Sequence, residues 1–190
     1  MDTAIRIAVY CGSSNNVDEA FNAAARLVGQ TLAQAGIGVV YGGGHVGLMG
    51  QVANAALRAG GEVIGVIPKK LQQRELAHSA LSELHVVDTM HERKALMARL
   101  SDGYIALPGG WGTLEEIFEM MTWLQLGYHN HPVAFLNVEN YYDALLAFLN
   151  TAHREGFVRP QHVDLVYSST DIDSILKHFR AWWQREANHP

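Results

Sequence analysis

Short apolar runs alternate with longer amphipathic segments along the chain. The apolar runs are rich in Val, Ile, Ala and Tyr and predict buried strands, at Ile5–Tyr10, Gly38–Tyr41, Val63–Pro68, Leu84–Val87, Tyr104–Leu107 and Val133–Leu136, with a further short strand near Leu165–Tyr167. In the longer segments apolar residues recur on one helical face, which predicts helices over Asp18–Ala35, Leu48–Ala59, Met90–Leu100, the segment that ends at Leu126, Tyr142–Glu155 and the segment that starts at Asp171. Alternating strands and helices predict an α/β fold, a Rossmann-like doubly wound parallel sheet with helices on both faces.

One strand-to-helix connection is unusually rich in glycine. It reads Pro108-Gly109-Gly110-Trp111-Gly112, here called the PGGWG turn, and continues as Thr113-Leu114-Glu115-Glu116. Three glycines at such density cost backbone entropy, so they indicate tight turns or a close approach of the backbone. The N–H groups at a helix N-terminus carry partial positive charge and bind anions such as phosphate. With an acidic side chain one turn away, the segment indicates chemistry on a phosphorylated small molecule.

A purely structural interpretation of the same segment is open. Thr113 and Glu116 are three residues apart, as in a capping box with Thr113 as the N-cap. Such a cap stabilises a helix by about 1 kcal/mol and needs no ligand. It does not account for the glycines before it, so a ligand site remains the favoured interpretation.

A second glycine-rich segment follows the second predicted strand. Gly42-Gly43-Gly44-His45-Val46-Gly47, here called the GGGHVG turn, matches the G-x-G-x-x-G pattern of dinucleotide-binding folds. That fingerprint should follow the first strand and be answered by an acidic residue further on. Here the segment follows the second strand, and the next strand ends in Pro68-Lys69-Lys70 instead of an acidic residue. An NAD(P) enzyme is therefore the weaker alternative. We expect Gly43 and Gly44 to form a second backbone wall of one nucleotide site.

Two adjacent cations open the helix before the fifth predicted strand. Thr89 and Glu92 predict a capping box at its start, which puts Arg93 and Lys94 in the first two turns. The helix dipole disfavours cations there. The pair therefore indicates a nearby anion or, as the alternative, a solvated surface.

Composition narrows the classes of function. The 190 residues carry a formal net charge of −5, with a pI near 6.0, which argues against a general nucleic-acid or membrane surface. Cys11 is the only cysteine, so no internal disulfide forms, as is usual in a reducing cytoplasm. The N-terminus lacks the features of a signal peptide. We expect one domain over residues 1–190, located in the cytoplasm, with neither nucleic acid nor membrane as its partner.

Ten histidines raise the question of a metal site, above all in Tyr128-His129-Asn130-His131. No two of them lie four residues apart on a predicted helix with a matching acid, and no His/Cys cluster recurs. We therefore predict no metal ligands.

Four segments, taken in order, resemble the LONELY GUY family of cytokinin riboside 5'-monophosphate phosphoribohydrolases, whose members are often labelled lysine decarboxylase-like. The segments are Tyr41–Gly50, Val63–Pro68 with Arg74-Glu75, Met90-His91-Glu92-Arg93-Lys94, and Pro108–Glu116. The similarity covers about Ile5 to Pro132 and extends loosely beyond it. The decarboxylase label would require a lysine that binds pyridoxal phosphate. Because the sequence singles out no such lysine, no cofactor is expected.

The resemblance implies a hydrolase that cuts the N-glycosidic bond of adenine or N6-prenylated adenine nucleoside 5'-monophosphates. It implies Arg93 and Glu116 as catalytic residues, and a homodimer, with which the apolar Trp123, Leu124 and Leu126 agree. The nucleotide substrate would be bound by Gly43, Gly44, Glu75, Arg93, Lys94, Gly109, Gly110, Trp111, Gly112, Thr113, Leu114, Glu115, Glu116 and Thr122.

Two points stay open at the level of sequence. Trp111 stands where many members of that family carry tyrosine, which leaves the preferred base undecided. A nucleotide-binding carrier or sensor without turnover would show the same glycine turns. Only the presence of both Arg93 and Glu116 favours catalysis over that alternative.

Overall fold

The computed structural model describes residues 4–72 and 78–188. Its strands form one parallel sheet, in the spatial order β4-β3-β2-β1-β5-β6-β7. They are Arg6–Tyr10 (β1), Gly38–Tyr41 (β2), Val63–Pro68 (β3), Glu83–Val87 (β4), Tyr104–Ala106 (β5), Val133–Leu136 (β6) and Val166–Ser169 (β7). The chain builds one half of the sheet outward from β1, then crosses over and builds the other half from β5. The crevice between β1 and β5 is the point where such sheets bind ligands.

Helices cover both faces of this sheet. They are Glu19–Gln34 (α1), Gly47–Arg58 (α2), Met90–Arg99 (α3), Trp111–Leu126 (α4), Asp143–Arg154 (α5) and Ile172–Asn188 (α6), with short 3₁₀ segments at Lys69–Leu71, Val138–Asn140 and Pro160–Leu165. Among the described residues, no helix is long and apolar enough to cross a membrane.

Alternation along the strands divides the core into two layers. On β1, Ile7 and Val9 pack with α1, α2 and α6. Ala8 and Tyr10 point to the opposite face and pack with α3 and α4. The predicted doubly wound α/β fold, with its order of strands and helices, is confirmed.

The start of α4 corrects one prediction. The helix begins at Trp111, with Gly110 as an N-cap that has no side chain to accept a hydrogen bond. Thr113 is thus the third residue of the helix, and Glu116 lies in the second turn, so the predicted Thr113 capping box is wrong. The Thr113 side chain instead contacts Gly109 across the turn, so closely that a Cβ at Gly109 would lie 2.1 Å from Thr113 Oγ1. Thr113 packs against this glycine and is buried.

Candidate active site

Three loops meet at the carboxyl ends of β1, β2 and β5. Gly12, after β1, donates its N–H to Pro108 O at 3.0 Å and accepts one from Leu48 at 3.0 Å. The neighbouring Asn15 accepts the N–H of Gly47 through Oδ1 at 2.8 Å. The loop after β1 therefore fixes the PGGWG turn relative to the start of α2.

The N-terminus of α4 is open. The N–H of Leu114 bonds to Gly110 O at 3.1 Å, so the N–H groups of Trp111, Gly112 and Thr113 precede the first acceptor that the helix provides. A Cβ placed on Gly110 or Gly112 would meet nothing within 4 Å. An anion can therefore approach these N–H groups directly, with the positive end of the helix dipole behind them.

The N-terminus of α2, by contrast, is occupied by protein. Its first two N–H groups, those of Gly47 and Leu48, already donate to Asn15 and Gly12. A dinucleotide fold would place its pyrophosphate at that position. This packing argues against the NAD(P) interpretation of the GGGHVG turn.

The GGGHVG turn instead provides space for an arginine. A Cβ on Gly42 would lie 2.1 Å from Arg93 Nη2, so only glycine leaves room for the guanidinium. Gly43 has a left-handed backbone, with φ of +77°, and its carbonyl accepts the N–H of His78 at 3.0 Å. Gly44 is buried next to it.

Arg93 and Glu116 form a buried ion pair at this point. The predicted capping box at Thr89 and Glu92 is confirmed and starts α3, which carries Arg93 in its first turn. Arg93 Nη2 lies 3.5 Å from Glu116 Oε1, and the two side chains are only 8% and 9% exposed. A cation at this distance favours the negatively charged form of the carboxylate.

Arg93 has donor capacity that the described protein does not use. Within residues 4–72 and 78–188, its Nε is buried and has no hydrogen-bond partner. Buried polar groups are almost always hydrogen-bonded, so an unpartnered donor requires an explanation. A substrate oxygen next to Glu116 would supply the missing acceptor.

Two other polar side chains lie near the pair. Burial raises the pKa of Tyr10 well above its ordinary value, and the charge of Glu116 adds to the effect. Burial likewise raises the pKa of the Cys11 thiol, again with help from Glu116 and against the opposing effect of Arg93. Cys11 therefore stays protonated and is a poor nucleophile.

Lys94 and Glu115, both predicted to bind substrate, contact each other. The buried Lys94 Nζ pairs with Glu115 and with Glu119 Oε1, the latter at 3.2 Å. Burial opposes the charged form of Lys94, but the hydrogen bonds to Glu115 and Glu119 outweigh it and raise the pKa. These contacts tie α3 to α4 beside Arg93 and Glu116. A direct contact of Lys94 or Glu115 with substrate stays a prediction.

The other predicted binding residues are spread more widely. Trp111 is 90% exposed at the mouth of the turn, and Leu114 packs at the edge of the core. Thr122 donates its hydroxyl to Phe118 O at 2.7 Å. It lines a groove of ≈ 180 Å³ between α4 and α5, whose lining includes neither Arg93 nor Glu116. Glu75 lies outside the described residues.

Sequence reasoning missed two tyrosines that follow β6. Tyr141 Oη donates to Gly109 O at 2.7 Å, and Tyr142 Oη donates to Leu107 O at 2.6 Å. A tandem of tyrosines at the carboxyl end of a strand next to β5 was the available signal. These hydrogen bonds attach the loop after β6 to the PGGWG turn and to the residue before it.

The histidines after α4 are packed side chains. His129 Nε2 donates to Met120 O at 2.9 Å, and the ring stacks on His131. Burial lowers the pKa of His129 to about 4, although the bond to Met120 opposes that shift. Among the described residues there is no group of three or more His, Cys, Asp or Glu side chains that could hold a metal ion.

Comparison with known proteins assigns the family. Residues 49–179 match the family model described as "Possible lysine decarboxylase". A probable cytokinin riboside 5'-monophosphate phosphoribohydrolase of Oryza sativa subsp. japonica is 48% identical over 171 residues, which cover 90% of this chain and 75% of that protein. A cytokinin riboside 5'-monophosphate phosphoribohydrolase of Arabidopsis thaliana is 46% identical over 172 residues, with 90% and 80% covered. The chain belongs to the LONELY GUY family.

More distant solved structures share the fold of this LONELY GUY protein. A molybdenum cofactor binding protein from Rippkaea orientalis aligns with a TM-score of 0.73 at 22% identity, covering 95% of this chain and 98% of that one. A Moco carrier protein from Chlamydomonas reinhardtii aligns with a TM-score of 0.72 at 20% identity, covering 96% and 99%. At this level of identity the likeness concerns the fold alone.

Proposed function

We propose that the protein hydrolyses the N-glycosidic bond of purine nucleoside 5'-monophosphates, whose base is adenine or N6-prenylated adenine. The products are the free base and ribose 5-phosphate. The observation that carries the proposal is the buried pair of Arg93 and Glu116, 3.5 Å apart, beside the open N-terminus of α4. The names of relatives that are 46–48% identical support the substrate class.

The phosphate binds at the PGGWG turn. The backbone N–H groups of Gly110 to Thr113 bind the anion, and the missing side chains of Gly110 and Gly112 permit close approach. A phosphate held there fixes the ribose relative to Glu116, one turn further along α4. Binding energy from the phosphate is thereby used to orient the sugar.

Glu116 acts on the sugar. Breaking the bond to the base builds positive charge on the ribose ring, as in other glycoside hydrolyses. The ionised carboxylate stabilises that charge and orients or deprotonates the attacking water. Its burial strengthens the interaction, since a charge acts more strongly in a site from which water is excluded.

Arg93 has a different role, because a guanidinium stays protonated and cannot be a general base. Its Nη2 pairs with Glu116, while its Nε, which has no hydrogen-bond partner among the described residues, donates to a substrate oxygen or to the departing base. The reaction proposed here requires neither a metal nor a redox cofactor. The remaining proposed substrate contacts are Gly43, Gly44, Glu75, Lys94, Gly109, Trp111, Leu114, Glu115 and Thr122.

The proposal extends to the assembly and its location. We expect residues 1–190 to act as one cytoplasmic domain that forms a homodimer. Of the three residues that suggested an interface, Leu124 is buried in the core and Trp123 packs against it, whereas Leu126 is 60% exposed. Leu126 and the nearby Tyr128, which is 76% exposed, support an interface at the end of α4. Light scattering at micromolar concentration should give the mass of a dimer, and a monomer would contradict this part of the proposal.

Base release tests the function directly. Purified protein is incubated with AMP, with its N6-isopentenyl analogue and with adenosine, and free base is measured by chromatography. We expect release from the monophosphates and little from adenosine. Equal rates for AMP and adenosine would contradict the phosphate site, whereas AMP binding without any base release would favour a carrier.

A further inference from the structure

The peptide between Gly109 and Gly110 is held by a side chain from another part of the sheet. Tyr141 Oη donates to Gly109 O at 2.7 Å. Neither glycine has a side chain of its own that restricts rotation of this peptide plane, and the packing of Thr113 against Gly109 acts on one side of it only. The hydrogen bond from Tyr141 therefore fixes the orientation of a peptide that the side chains of the turn itself leave least constrained.

The orientation of that plane decides where an N–H points. In a trans peptide the C=O and N–H groups point in opposite directions. Because the carbonyl of Gly109 faces Tyr141, the N–H of Gly110 faces away from it. A hydrogen bond on the carbonyl also polarises the peptide and strengthens its N–H as a donor. Gly110 is the N-cap of α4 and borders open space.

The backbone before Tyr141 is strained. Glu139 and Asn140 have φ of +49° and +59°, in the left-handed region that non-glycine residues seldom occupy. Strain of this kind persists where surrounding contacts impose it, and it is common at functional sites. Asn137 supplies such a contact, since its Oδ1 accepts the N–H of Tyr142 at 2.7 Å.

Tyr142 provides an internal comparison. It donates to Leu107 O at 2.6 Å, but the next residue is Pro108, which has no N–H to direct. Tyr142 is 1% exposed, whereas Tyr141 is 47% exposed. The two adjacent tyrosines thus make the same kind of bond, one to the turn and one to the residue before it, and only Tyr141 orients a donor.

We propose that Tyr141 is a positioning residue for the 5'-phosphate, because its hydrogen bond to the Gly109 carbonyl aims the Gly110 N–H at the anion. The assignment rests on the proposed function. It gives Tyr141 a part in phosphate recognition without any contact between its side chain and the substrate.

Tyr141→Phe is the test, with Tyr142→Phe as the matched control. Binding of AMP and of adenosine is measured by calorimetry, together with kcat and KM for AMP and the melting temperature. In Tyr141→Phe we expect AMP affinity to fall about fivefold, as for the loss of one hydrogen bond, with adenosine affinity and melting unchanged. In Tyr141→Phe the ring keeps its edge contact with Phe21. If Tyr141 had only a structural role, the change would not weaken AMP binding more than adenosine binding.

The control should behave in the opposite way. Tyr142→Phe leaves the buried Leu107 carbonyl without its donor, so we expect a lower melting temperature and unchanged AMP affinity in the folded protein. Equal losses of AMP affinity in both variants, or none in Tyr141→Phe, would overturn the assignment. A wild-type protein that binds AMP no better than adenosine would overturn the proposed phosphate site itself, which separates the two failures.

Discussion

The two glycine turns have similar sequences and join the same kinds of elements, yet they are packed in opposite ways. In the GGGHVG turn, a Cβ on Gly47 would lie 2.5 Å from the carbonyl carbon of Ser13. One turn into α2, a Cβ on Gly50 would lie 2.2 Å from His45 O. In the PGGWG turn, a Cβ on Gly110 or Gly112 would meet nothing within 4 Å. Glycine density alone therefore does not identify a ligand site, because among the described residues the glycines of one turn are packed against backbone and those of the other border open space.

The largest change in stability is expected at the end of the GGGHVG turn and in the first turn of α2. Gly50→Ala forces a methyl group into a backbone carbonyl, and Gly47→Ala combines a clash with a φ of +57°. We expect each to lower the free energy of unfolding by about 1–3 kcal/mol, as measured by urea denaturation.

Gly36→Ala is the matched control for Gly47→Ala and Gly50→Ala. Gly36 has a φ of +70° but nothing within 4 Å of a Cβ, so it should show only the left-handed cost of about 1 kcal/mol. If Gly47→Ala and Gly50→Ala keep wild-type stability but lose AMP affinity, the N-terminus of α2 contacts the ligand and the comparison fails.

A smaller change in stability is expected at the PGGWG turn. Gly112 lies inside the first turn of α4, so Gly112→Ala should leave stability unchanged or raise it by up to about 1 kcal/mol. AMP affinity should nevertheless fall about tenfold, because the new side chain crowds the phosphate. Urea denaturation and calorimetry on one preparation measure both quantities. A lower stability with normal AMP binding by the folded protein would show that these glycines serve only the turn.

Much of this contrast could not be predicted from sequence. Hydrophobic periodicity predicted the strands and helices, and the capping signal at Thr89 placed Arg93 correctly within the first two turns of α3. The same type of signal failed at Thr113, because the contact with Gly109 is made across the turn and leaves no trace in local spacing. Lys94 was predicted to contact substrate, and its pairing with Glu115 joins two helices, which periodicity does not report.

A pH-dependent change in stability is expected at the other end of α4. Burial lowers the pKa of His129 to about 4 and also lowers the pKa of His131, whereas the unfolded chain protonates histidine near pH 6.5. Protonation therefore favours the unfolded state, and stability should decrease as pH falls from about 6.5 toward 4. AMP binding by the folded protein should not follow this dependence.

Urea denaturation at pH 7 and pH 5 measures that effect, with His129→Gln as the comparison. The variant should lose less stability than the wild type between the two pH values. An equal loss would assign the acid sensitivity to other groups.

Glu116→Gln, compared with Glu115→Gln, tests the central claim most directly. Both changes remove a carboxylate paired with a cation, but only Glu116 lies beside Arg93 in the buried site. The loss of this counter-charge should cost about 1–3 kcal/mol of stability, so turnover is measured well below the melting temperature. We predict that Glu116→Gln releases base from AMP about 10² to 10⁴-fold more slowly while still binding AMP, and that Glu115→Gln keeps most of its activity. A near wild-type rate of base release by folded Glu116→Gln would contradict the account.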